Sequence, residues 1–138
     1  MPQYTAIATT TGGRNGHVES SDGLLKFDLS VPKEIGGPGK PATTNPEQLF
    51  ASGYSACFGG AVEYAARLAK VKVEKVTCTA EVTITAGDKG FDLSVKLKTK
   101  IDGADHATAE QLVKTAHEQI CPYSKATRGN IAVQLEVL

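Results

Sequence analysis

The chain has 138 residues, enough for a single domain spanning 1–138 with a core of its own. Fifteen basic and fifteen acidic residues cancel, so nothing steers the protein toward nucleic acid or an anionic membrane surface. No run approaches the ~18 apolar residues of a membrane span. The polar, Thr-rich N-terminus has no basic segment followed by an apolar run, so export is not expected and a reducing cytoplasm is the expected location. In that compartment a structural disulfide scaffold is not expected. Cys57, Cys78 and Cys121 form no C-x-x-C pair and have no histidines at zinc spacing, so no metal site is expected either.

The first third reads as strands and turns. Tyr4–Thr11 is rich in Thr, Ile and Ala, and Gly12 to Gly16 makes a turn around Arg14. A short strand follows at His17–Glu19, with a turn at Ser21-Asp22-Gly23. Leu25, Phe27, Leu29 and Val31 then alternate with polar residues, the period of a half-buried strand. Pro32 to Thr44, rich in Pro, Gly and Lys, is a loop.

Asn45-Pro46-Glu47 has the chemistry of a helix start: an Asn cap, a Pro at the first helical position, and an acid at the positive end of the dipole. The helix is expected to reach about Lys70, with Phe50, Cys57, Ala61, Tyr64 and Leu68 as its apolar stripe. Gly53, Gly59 and Gly60 lie inside it, each costing about 1 kcal/mol against Ala in an exposed helix. They point to close approach by other elements. A hairpin follows, Val76–Ile84 and Phe91–Leu97, turning at Ala86–Gly90. Cys78 takes an inward slot of its first strand and reads as core. Lys96, Lys98 and Lys100 alternate along the second strand as a solvated face. A second helix covers about Thr108–Gln119, with Thr108 and Gln111 as a capping box, and Pro122 ends it at Cys121. Gly129-Asn130 turns into a last strand from Ile131 to Val137. The order β-β-β-α-β-β-α-β, dominated by hairpins, predicts an α+β fold with two main helices and mainly antiparallel sheets.

Two of the cysteines admit a chemical reading beside a bland one. Cys57 can be a small buried hydrophobe on its helix, and Cys121 a structural residue at a helix end. Alternatively, Cys57 is a nucleophile for peroxides. That chemistry needs a thiolate, and a free thiol titrates at about 8.5. A cation must lower it, and Arg14 in its Gly-rich turn is the candidate, since an Arg keeps its charge. Glu47 can hold the guanidinium by a bidentate pair. The bland alternatives are a solvated turn arginine and an acid complementing the helix dipole. The sulfenic acid left by the attack would condense with a second thiol, a task for Cys121, and an external dithiol would reopen the disulfide. In one straight helix Glu47 and Cys57 are separated by ~15 Å of rise. Either the helix breaks near Gly53, or Arg14 and Glu47 serve the Cys57 of a second subunit; the second option predicts a homodimer.

Three segments carry a resemblance over essentially the whole chain: Asn45-Pro46-Glu47-Gln48-Leu49-Phe50, Gly53-Tyr54-Ser55-Ala56-Cys57-Phe58, and Cys121-Pro122-Tyr123-Ser124-Lys125-Ala126-Thr127-Arg128-Gly129-Asn130. In this order and spacing the sequence resembles the organic hydroperoxide resistance proteins of the osmotically inducible protein C family. The resemblance implies an intertwined α+β homodimer with two sites between subunits. It implies that Cys57 is peroxidatic, that Cys121 is resolving, and that the catalytic arginine and its glutamate partner are Arg14 and Glu47. It also implies alkyl and fatty-acid hydroperoxide substrates, no bound metal or flavin, and recycling by dihydrolipoamide or a lipoylated protein. An apolar pocket near Phe50 and Phe58 would favour alkyl substrates, since burial contributes about 0.8 kcal/mol per CH₂. Rival readings are the sister osmotically inducible branch, a disulfide-based redox sensor, and a fatty-acid carrier using the same cleft.

Overall fold

The computed structural model describes residues 1–138. The chain forms two compact units, Met1–Leu49 and Phe50–Leu138. Each contains one three-stranded sheet, and the class is α+β.

In the first unit β1 (Ala8–Thr11), β2 (His17–Ser20) and β3 (Lys26–Asp28) form an antiparallel sheet in that order. A short 3-10 turn at Gly13–Asn15 joins β1 to β2. Its bounding glycines are required. Gly12 has φ +83°, and a Cβ on Gly16 would lie 1.8 Å from the Thr11 carbonyl oxygen. Beyond β3 the chain runs beside the segment that leads into the long helix: Leu29 bridges Thr44 in parallel, and the Thr44 N–H donates to the Asp28 carbonyl at 2.9 Å. The expected half-buried face is covered at Leu29 and partly at Val31; Leu25 and Phe27 remain exposed, because this unit has no helical layer to lie over its sheet.

The long helix α1 spans Pro46–Leu68. It starts as the sequence predicts, with the Asn45 side chain accepting from the Gln48 N–H at 2.8 Å. It runs through Gly53, Gly59 and Gly60 without a break. Its buried residues are Tyr54, Phe58, Ala61, Val62, Ala65 and Ala66. That stripe is rotated from the expected one. Tyr64 is exposed, with the Arg67 guanidinium over its ring, and Leu68 is exposed at the last turn. The 54-58-62-66 row at steps of four competes with the row through Cys57, and the row with the larger rings takes the core.

In the second unit β4 (Lys75–Gly87) and β5 (Gly90–Asp102) form a long antiparallel hairpin, and β6 (Ala132–Val137) pairs with β5 in parallel. β5 is therefore central. Its Val95, Leu97, Thr99 and Ile101 are buried, paired with Val82, Ala80, Cys78 and Val76 on β4. The α2 helix (His106–Thr115) packs on β5 and β6, and Ala109, Leu112 and Val113 join the core. Its cap is Asp105, whose carboxylate accepts from the Thr108 N–H at 2.7 Å. The helix therefore starts before the expected Thr108 capping box. An Asp after Gly103, whose φ is +95°, reaches the free N–H groups first. After α2 one π-helical turn covers Ala116–Ile120, Cys121 turns extended at φ −66° and ψ 119°, and a further helix, α3, spans Pro122–Thr127. Pro122 ends one helix and opens the next, as Pro at a first helical position does.

Leu97 has no exposed surface at the centre of this sheet. Leu97→Ala is expected to cost about 2–5 kcal/mol of stability in urea unfolding. The exposed Leu68→Ala should change it by less than about 0.5 kcal/mol.

Candidate active site

The first unit brings Arg14 and Glu47 together. Arg14 sits on the glycine-bounded 3-10 turn, and Asn15 anchors that turn by accepting from the Val31 N–H at 2.9 Å. Glu47 lies in the first turn of α1, which the Thr44 bridge holds beside β3. The guanidinium meets the carboxylate in a two-point fork, Nη1 to Oε2 at 3.0 Å and Nη2 to Oε1 at 2.8 Å. The Glu47 side chain is 12 % exposed and that of Arg14 43 %. The hydrogen-bonded guanidinium lowers the Glu47 carboxyl from its ordinary value against the opposing effect of burial, and raises Arg14 in turn. The pair is a held cation on a side chain partly open to solvent.

The second unit brings Cys57 and Cys121 together. Cys57 is half-buried in the middle of α1, and Cys121 is buried at the junction of the π turn and α3. Their sulfurs are 3.6 Å apart, with the Cys121 thiol donating to Cys57. A disulfide needs about 2.05 Å between sulfurs, so a small approach closes the bond. Cys121 also caps α3, accepting from the Ser124 N–H at 3.4 Å. Burial pushes the Cys57 thiol up, the Tyr123 backbone N–H opposes this, and Cys121 adds to the rise. None of these causes is a cation. Burial likewise raises Cys78, the third free thiol, which lies against the core from β4 opposite Thr99.

The aromatic residues divide. Phe50 is half-buried and stacks on Tyr54 at 5.8 Å between centroids, with Tyr123 at 6.1 Å. Phe58, expected beside it as a pocket wall, has no exposed surface; it packs edge-on to Tyr54 within the core. It lies on the row that faces the sheet, so it cannot line an open cleft of this chain. The sequence reading missed Tyr123, whose ring covers Gly53 so closely that a Cβ there would lie 2.9 Å from its hydroxyl. The glycine inside a helix was the available signal. At Gly60, by contrast, nothing lies within 4 Å of an added Cβ, so close approach does not explain that glycine.

Residues 37–136 match the family model described as OsmC-like protein. The chain is 44 % identical to organic hydroperoxide resistance protein OhrB of Bacillus subtilis, covering 99 % of both. It is 50 % identical to the organic hydroperoxide resistance protein of Xanthomonas axonopodis pv. citri, over 96 % of this chain and 92 % of that one. The chain belongs to the organic hydroperoxide resistance (Ohr) group of the OsmC-like family. A crystal structure of an organic hydroperoxide resistance protein from Legionella pneumophila superposes on this Ohr-type chain with a TM-score of 0.92 at 52 % identity. It covers 99 % of this chain and 98 % of that one. No helix of the Ohr-type chain is long and apolar enough to cross a membrane.

The Arg14–Glu47 fork has a pH signature of defined sign. Glu47 is depressed in the folded state, so its stabilisation is fully present above the ordinary carboxylate value. It is lost as pH falls through the lower, folded one. Solvent screening at Arg14 limits it to about 1 kcal/mol or less. Chemical denaturation of wild type and Glu47→Gln should differ by that amount near pH 7 and converge as pH falls through the depressed Glu47 value.

Proposed function

We propose that this protein is a thiol-dependent peroxidase that reduces organic hydroperoxides to alcohols, with Cys57 as nucleophile and Cys121 as resolving thiol. The observation that carries this reading is the 3.6 Å approach of two reduced sulfurs from positions 64 residues apart in sequence, one partly accessible and one buried. The Cys57 thiolate attacks one peroxide oxygen, the O–O bond breaks, and the departing alkoxide takes a proton to become the alcohol. Cys57 is left as a sulfenic acid. The Cys121 sulfur then displaces its hydroxyl, which leaves as water, and the disulfide forms. An external dithiol, dihydrolipoamide or a lipoylated protein, supplies the two electrons that restore both thiols. No bound metal or flavin enters this cycle. Such a cycle suits the reducing cytoplasm, where dithiol donors are maintained.

The cation that activates Cys57 is assigned to a second copy of the chain. The surroundings of Cys57 in its own unit raise its pKa, and α1 runs unbroken past Gly53, which removes the option of a break there. The first unit also leaves Tyr4, Ile7, Leu24 and Leu25 exposed around a three-stranded sheet with almost no core, a surface that a homodimer would cover. In this reading the Arg14–Glu47 fork of one copy meets the Cys57 of the other, and Phe50 contributes to the apolar surface that receives the alkyl group.

Two experiments test this. Reduced protein given one equivalent of an organic hydroperoxide should yield a Cys57–Cys121 disulfide by peptide mass spectrometry, with Cys78 free, and dihydrolipoamide should reopen it. All three thiols intact would remove the peroxidase reading. Separately, Arg14→Ala and Cys57→Ser should each be almost inactive alone. Refolded together in equal amounts, they should recover about a quarter of wild-type activity, because half the dimers then carry one intact site. No recovery would place Arg14 and Cys57 in the same chain's site or remove Arg14 from it.

A further inference from the structure

The second unit holds a buried hydroxyl network that the peroxidase cycle does not use. The Tyr54 hydroxyl lies 2.9 Å from Ser124 Oγ and 3.0 Å from Thr127 Oγ1. His117 Nδ1 lies 2.8 Å from the same Ser124 Oγ, and Thr127 Oγ1 is 3.2 Å from the Ser124 carbonyl. Tyr54 and Ser124 have no exposed surface, and Thr127 is buried. The Arg128 guanidinium donates to the His117 carbonyl, which closes α3 back onto the π turn.

Each hydroxyl has one proton to donate, so only two arrangements satisfy every member. With the His117 Nδ1 unprotonated the order is Thr127 to Tyr54, Tyr54 to Ser124, and Ser124 to Nδ1. With Nδ1 protonated, in the other neutral tautomer or in the charged ring, every bond reverses and Thr127 donates to the Ser124 carbonyl. Burial and the Arg128 charge hold His117 below its ordinary value, with Glu118 opposing, which favours the neutral ring; its tautomer then sets the order. Either way no member is left unpaired, and unpaired groups at this depth are costly.

The placement matters more than the pairing. Tyr54 stands three residues before Cys57 on α1, and Ser124 stands three residues after Cys121 on α3. Ser124 also donates its backbone N–H to the Cys121 sulfur. We propose that Tyr54 and Ser124 are positioning residues for disulfide formation: their hydroxyl contact ties the helix bearing Cys57 to the one capped by Cys121 and holds the two sulfurs within reach. The role rests on the two-cysteine reading above, but it can be measured without a peroxide.

The test is the equilibrium constant for the Cys57–Cys121 disulfide in glutathione redox buffers, with the pair quantified by peptide mass spectrometry. Tyr54→Phe and Ser124→Ala should each lower it about tenfold, as expected when two reacting groups lose a fixed approach. The exposed Tyr64→Phe should leave it unchanged. With an organic hydroperoxide in rapid mixing, both variants should keep the wild-type rate of Cys57 oxidation. Disulfide closure should be about tenfold slower, with more sulfinic acid at excess peroxide. Wild-type equilibrium constants and closure rates in a folded variant would overturn the proposal. Loss of native circular dichroism in both variants would overturn it too, since the network would then serve the fold rather than the pair. If wild type forms the disulfide in glutathione but ignores hydroperoxides, the peroxidase reading fails, and the glutathione constants still decide the positioning role.

Discussion

A cysteine in the middle of a 23-residue helix can meet a second cysteine only if some other segment is brought across it, and here the bend at Cys121-Pro122 does so. Proline disfavours helical geometry at the residue before it and suits the first position of the next helix. Cys121 is consequently extended between a π turn and α3, and its sulfur is free both to cap α3 and to face Cys57. Without that corner α2 would run on past the core and carry the second thiol away from the first. The Tyr54 side of α1 seats α3, the central strand β5 seats α1 and α2, and the thiol pair follows from these two contacts.

The same bend sets the difference in exposure between the two thiols. Packing removes Cys121 from solvent and leaves Cys57 partly open. A hydroperoxide would therefore reach the first sulfur before the second. Burial also works against ionisation of Cys57, and its own unit offers one backbone N–H in compensation. One unit shelters the sulfurs among apolar residues, and the other holds a guanidinium in a carboxylate fork.

Much of this was legible in the sequence because its signals are local. The Asn45-Pro46-Glu47 start, the alternating hairpin, and the stop at Pro122 all depend on chemistry within a few residues. The stripe of α1 was misread because Tyr54 and Phe58 lie on a row adjacent to the Cys57 row, and periodicity does not say which of two neighbouring apolar rows meets the sheet. The Asp105 cap was missed in favour of Thr108 because both are competent cap residues, and only the turn at Gly103 selects between them. The short α3 was missed because six residues are too few to show a helical period.

By itself, the sequence determined the α+β class and most element positions, since each is marked by propensity or capping chemistry, and its resemblance to a family nominated Arg14, Glu47, Cys57 and Cys121 as candidates. Tertiary structure alone decided that Cys57 and Cys121 face each other at 3.6 Å, that Arg14 and Glu47 form a fork, that β6 pairs in parallel, and that Phe58 belongs to the core. These are contacts between residues distant along the chain. They depend on which apolar row is buried and how the chain turns between elements, and local preference holds no record of either.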